Sequence, residues 1–192
     1  MRNFITIFFS FLPVGNYIEE GVWTFEIHPR RVVQGNYQMW LPSQSALNIG
    51  TRFLRPTPDH TLTIPSTAGK AITVGAYDIG YDSYADFSGR GYYAEWYNGK
   101  PDIVAPGVNI YCPAPGGGFT TRTGTSFATP FVTGSAALLM EWGVVEGNDP
   151  FLYGEKMKAY LRNGAKQIRG ETQYPNIRVG YGALCLSQTL PN

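Results

Sequence analysis

From Ala71 onward, short continuous apolar runs alternate with segments whose apolar residues recur at helical spacing, and this alternation constrains the fold more than any other feature. "AITVGAYD" is a nearly unbroken apolar run, the pattern of a strand buried on both faces. "PDIVAPG" predicts a second, shorter strand ended by Pro106 and Gly107. Beyond Ser126, the spacing of Ala128, Val132, Ala136 and Leu139 predicts a helix, with Gly143 as its stop. Pro130 falls within the first turn of that helix, where a missing N–H matters little. A second helix is expected from Asp149 and Pro150, an N-cap and a first-position proline, through "FLYGEKMKAYLR" to Asn163 and Gly164. Strands separated by helices indicate an α/β layer with a parallel sheet.

Residues 1–62 read differently, as a β-rich segment ahead of residues 63–192. "GVWTFEIH" alternates and puts Trp23, Phe25 and Ile27 on one face of a strand. "RRVVQGNYQMWLP" has the form of a hairpin turning at Gly35 and Asn36. The opening run after Arg2 imitates a signal peptide, but it is short, Thr6 interrupts it and no A-x-A-like site follows, so a buried strand is expected. The 23 glycines and 14 prolines suit many turns and short strands rather than a helical bundle. A net charge of +1 leaves no basic footprint for nucleic acid, and no run reaches the ~18 apolar residues of a membrane span. Cys112 and Cys185 match no metal spacing and are read as free thiols, and no metal or other cofactor is expected. No address signal fixes the localisation.

The chemistry centres on "TRTGTSFATPFVTG". Ser126 stands where a tight turn opens a helix, with its own backbone N–H free and the positive end of the helix dipole beside it. Both features would stabilise a tetrahedral oxyanion. Gly124 would let a substrate backbone approach, and the small Thr125 and Ala128 would leave the serine oxygen accessible. Gly134 and Ala136 would let the helix lie close to the sheet. On helix chemistry alone, Ser126 could equally be a cap.

The segment "GTSFATPFVTGSAALL" resembles the nucleophile segment of the subtilisin-like serine peptidases, whose pattern is G-T-S-x-A-x-P-x-V-x-G. Gly124, Thr125, Ser126, Ala128, Pro130, Val132 and Gly134 fill every fixed position. "ITVGAYD", "FSGRG" and "KPDIVAPGVNI" are similar, in order, to the segments that precede this serine in the family. "GVWTFEI", "WLPS", "TRFLRPTPDHTLTIPSTA" and "YPNIRVGYGALCL" extend the likeness to a clostridial branch, the Csp-type germination proteases, which carry a jelly-roll insert. The resemblance implies the C-terminal part of a subtilisin-like parallel-sheet domain, preceded by part of that insert. It further implies peptide-bond hydrolysis through Ser126 on a polypeptide substrate.

The family's aspartate segment, D-[ST]-G, its histidine segment, H-G-T, and its G-N-x-G-like oxyanion segment do not occur in these 192 residues. His28 and His60 are the two histidines, and neither precedes Gly-Thr. Asp59 is badly placed to orient His60, since neighbours on an extended chain point to opposite sides. The chain alone is therefore expected to be inactive, with an unpaired sheet edge and an uncovered apolar face that favour association. A truncated product, a mis-set start codon and one half of a split enzyme whose other chain carries Asp and His all stay open. So does a non-catalytic pseudoprotease or binding remnant.

Overall fold

The apolar run after Ala71 becomes β1 (Val74–Asp78), and the chain turns straight back into β2 (Ser83–Tyr84). A hairpin follows, β3 (Tyr92–Ala94) and β4 (Tyr97–Lys100), and then the second apolar run forms β5 (Ile103–Pro106). A second hairpin, β6 (Ile110–Pro113) and β7 (Phe119–Arg122), leads into α1 (Thr125–Met140). A π-helical turn over Glu141–Val145 extends α1, and α2 (Glu155–Asn163) and the short α3 (Leu186–Thr189) complete the order. These elements come from a computed structural model that describes residues 20–28, 30–31, 39–42, 46–94 and 97–190. The chain divides into two units, Met1–Leu41 and Pro42–Asn192.

In the second unit β1 and β5 lie side by side and parallel, from Val74 opposite Ile103 to Tyr77 opposite Pro106. β2 pairs antiparallel at the far end of β1, through Tyr77–Tyr84 and Asp78–Ser83. The returning chain closes the other edge of β5. There the Val104 N–H donates to the Gly182 carbonyl at 3.0 Å, and the Leu184 N–H donates to the Val104 carbonyl at 2.8 Å. One face of the sheet, through Ala76, Ile103 and Ala105, packs on Ala128, Val132 and Leu139 of α1 and on Leu152, Met157 and Leu161. The opposite face carries Tyr77 and Val104 against Ile168, Val179 and Ala183. Burial from both sides explains why these two runs have no polar alternation. The fold is α/β.

A buried ionic knot holds the start of the sheet to α2. The Asp102 carboxylate, 1% exposed, accepts the Thr73 N–H at 2.6 Å, the Lys100 ammonium at 2.7 Å and the Arg162 Nε at 3.1 Å. Lys100 also donates to the Ala71 carbonyl. Burial pulls the Lys100 ammonium below its usual pKa range, against the opposing hydrogen bond and charge of Asp102.

Several expectations are corrected. Residues 22–28 form no strand, and Val22, Trp23, Phe25 and Ile27 are all exposed. Alternation signals a strand only where a neighbouring strand completes the ladder. The hairpin expected at Gly35 and Asn36 and the opening strand lie outside the described residues. Gly143 does not stop α1. It lies in the π-helical turn, where a Cβ would come within 2.8 Å of Leu152 Cδ2, so its bareness makes room for Leu152. The second helix begins at Glu155 rather than Asp149, because Gly154 at φ 58 breaks the run before it. Its predicted end at Asn163 and Gly164 agrees with the fold.

Candidate nucleophile site

Ser126 is the second residue of α1 and is exposed. The helix has no side-chain cap, so the serine does not serve as one. Its hydroxyl makes no hydrogen bond among the described residues. The backbone N–H groups of Thr125 and Ser126 are likewise given to no acceptor among them, as expected for the first turn of a helix. An unengaged hydroxyl and two free amides thus sit together at the positive end of a 16-residue helix. Such a point can present an oxygen nucleophile and receive an anion.

Two glycines hold this turn against the sheet. Gly107 directly follows β5, donates its N–H to the Tyr77 carbonyl at 3.1 Å and accepts the Gly124 N–H at 2.8 Å. A Cβ on Gly107 would stand 2.6 Å from Ala76 Cβ and 3.1 Å from the Gly124 carbonyl, a space only glycine leaves open. Gly124 itself has φ 154, a conformation L side chains rarely adopt. The Asn109 N–H donates to Thr123 Oγ1 at 2.9 Å, tying the base of the β6–β7 hairpin to the same turn. Ala128 is fully buried against the sheet, and Thr125 is half-buried.

Pro130 is the sixth helical residue, not a first-turn residue as expected, because α1 starts immediately after Gly124. Its missing N–H leaves the Ser126 carbonyl without its helical donor. Beside this turn opens an apolar groove of about 300 Å³, lined by Ile110, Cys112, Phe127, Pro130 and Phe131. Gly134 also departs from expectation. It does not touch the sheet but is exposed, with nothing within 4 Å of where its Cβ would be.

The histidines are engaged elsewhere. The His60 ring packs on Tyr92 with centroids 4.8 Å apart, and the Asp59 carboxylate lies 3.6 Å from the Arg90 guanidinium. His28 is exposed and pairs with Glu26 at 3.1 Å. Cys112 and Cys185 are free and half-buried. Among the described residues no cluster of His, Cys, Asp and Glu could hold a metal ion.

Sequence reasoning missed the β6–β7 hairpin, which forms one wall of the groove. The signal was available, since "PAPGGG" separates two short runs and Gly116, Gly117 and Gly118 all adopt positive φ.

The fold and site describe a serine displayed at a helix N-terminus on a two-sided α/β sheet, and comparison with known proteins agrees. The subtilase family, peptidase S8, matches residues 34–182. The serine protease AprX of Bacillus subtilis (strain 168) is 35% identical over 158 residues, covering 70% of this chain and 33% of AprX. The solved CspB protease of Clostridium perfringens has a TM-score of 0.70 at 50% identity, covering 74% of this chain and 30% of that one. The prenylagaramide maturation protease PagA aligns with a TM-score of 0.54 at 31% identity, covering 69% and 46%. This chain belongs to the subtilase family. It spans about a third of the lengths of AprX and the CspB protease.

Proposed function

We propose that this chain is the nucleophile-bearing part of a subtilisin-like serine endopeptidase, completed by a segment outside these 192 residues that carries the aspartate, the histidine and the oxyanion asparagine. The observation that carries the reading is the exposed Ser126 hydroxyl with no partner, next to two free helix N-terminal amides. In the completed site, Ser126 Oγ attacks the scissile carbonyl carbon and passes its proton to the histidine. The Ser126 N–H donates to the oxyanion as the tetrahedral intermediate forms. Collapse breaks the C–N bond, the histidine returns the proton to the leaving amine, and water then hydrolyses the acyl-serine ester. Gly124, Thr125, Ala128 and Pro130 shape the turn that presents the oxygen.

Without the base the serine is a weak nucleophile at neutral pH, so the chain alone is inactive. The engagement of Asp59 with Arg90 and the packing of His60 on Tyr92 favour a base from outside. The test is hydrolysis of quenched fluorescent peptides by the chain alone and with the part of the CspB protease that it does not match. Cleavage only in the mixture, abolished by Ser126→Ala, is expected. Cleavage by the mixture that survives the alanine substitution would overturn the reading.

A further inference from the structure

The β6–β7 hairpin carries apolar side chains on both of its faces, where a hairpin with one face in water has a polar outer side. Ile110 and Cys112 turn inward and line the groove beside Phe127 and Pro130. The alternate positions, Tyr111 and Pro113 on β6 and Phe119 and Thr121 on β7, share the outer face and are all exposed. Tyr111 faces Thr121 and Phe119 faces Pro113, so the two rings are diagonal neighbours across the strands. They stack with centroids 5.0 Å apart and planes 14° from parallel, yet Tyr111 is 71% and Phe119 63% exposed. β6 and β7 pair only with each other, so the outer edge of β7 is open among the described residues. That strand runs through Thr123 and Gly124 directly into Ser126. At its other end Gly116, Gly117 and Gly118 carry no side chain to obstruct the edge.

We infer that this outer face is an extended substrate subsite, where a polypeptide held at Ser126 continues along the β7 edge and lays an aromatic or long apolar side chain on the Tyr111–Phe119 stack. The inference rests on the reading of Ser126 as a peptidase nucleophile. A polypeptide is the occupant because the open edge is continuous with the nucleophile turn. A chain leaving Ser126 along β7 meets the unpaired backbone groups first and the ring stack after them. Its main chain pairs with the edge whatever its sequence, and the rings select a side chain. At about 3.3 Å per extended residue, β7 alone spans roughly 10 Å and the path from Phe119 to Ser126 at most ~23 Å. The selected side chain therefore lies about three to seven residues from the scissile bond.

The test measures binding and cleavage on the chain mixed with the part of the CspB protease that it does not match. Binding is read by fluorescence anisotropy in the Ser126→Ala form, so that no peptide is consumed. A short peptide of about four residues is compared with long ones of about sixteen, which reach the stack in either direction and carry Phe or Gly at each distal position in turn. The long peptides bind more tightly, and a distal Phe adds to the gain at one position and not at its neighbours. Phe119→Ala and Tyr111→Ala reduce the ratio of long-peptide to short-peptide affinity on the order of tenfold, and Tyr111→Phe, which keeps the ring, restores it. A ratio that stays the same in both alanine variants would overturn the inference, since a ring pair that only braces the hairpin alters short and long peptides alike. So would long peptides that bind no better than the short one, or no binding at all. Cleavage by the Ser126 form that is indifferent to peptide length and to both rings removes the subsite and leaves the peptidase reading standing. Ring-dependent binding without cleavage by that form keeps the subsite and refutes the proposed function instead.

Discussion

A single methyl on Gly107 would press on Ala76 Cβ and the Gly124 carbonyl, the first fixed by the sheet and the second by the turn that leads to Ser126. Gly107→Ala is therefore expected to cost about 1–3 kcal/mol in urea unfolding, as overpacking at a closed contact does. It should also reduce cleavage in the completed complex by shifting the turn that holds Ser126. Asp102 makes a larger demand, since its carboxylate holds Lys100 and Arg162 together in the interior. Asp102→Ala leaves two cations without their counter-charge and should cost about 3–5 kcal/mol by the same measurement. Ser126, the proposed nucleophile, stands out in the sequence because its neighbours in the chain carry the motif. Gly107 and Asp102 could not, because their roles come from Ala76, Gly124, Thr73 and Arg162, which are remote in sequence.

Elements were legible where their period was long and their surroundings uniform. The runs at 74–78 and 103–106 and the inner face of α1 read correctly, since burial on both sides leaves a plain apolar pattern. Boundaries set by glycine conformation read less well. Asp149 and Pro150 imitate a helix start, yet Gly154 takes φ 58 and the helix waits until Glu155. Asp149 instead anchors the connecting loop onto α2, accepting Lys156 Nζ at 2.6 Å and the Tyr160 hydroxyl at 2.9 Å. The Lys156 hydrogen bond, foremost among its partners, holds the Asp149 carboxyl below its ordinary value of 3.8. The stability from this carboxylate is present above that value and is lost as the pH falls through the lower folded pKa. Asp149→Asn should accordingly flatten the acid limb of the urea midpoint plotted against pH, while an unchanged limb would place the acid sensitivity elsewhere.

At the scale of the whole molecule, α1 is open on two flanks. One carries the exposed Phe131, Gly134 and Leu138. The other is a groove of about 180 Å³ between Thr129, Val132, Thr133 and Ala136 of α1 and Ile72 and Val74 beside the sheet. Along that edge of β1, Ala76 donates its N–H to Ser88 Oγ at 2.9 Å and accepts the Ala85 N–H at 3.2 Å. Val74, two residues earlier on the same edge, has no such partner among the described residues. An uncharged helix with open flanks and a strand edge open among the described residues support the proposal that further layers of the domain come from another segment. The most direct measurement of that account is labelling with a fluorophosphonate probe, with the adduct mapped by mass spectrometry. The account predicts phosphonylation of Ser126 only when the chain is mixed with a segment carrying the family's aspartate and histidine, and none in Ser126→Ala. Labelling of Ser126 in the chain alone would contradict it, because the base would then have to lie within these 192 residues.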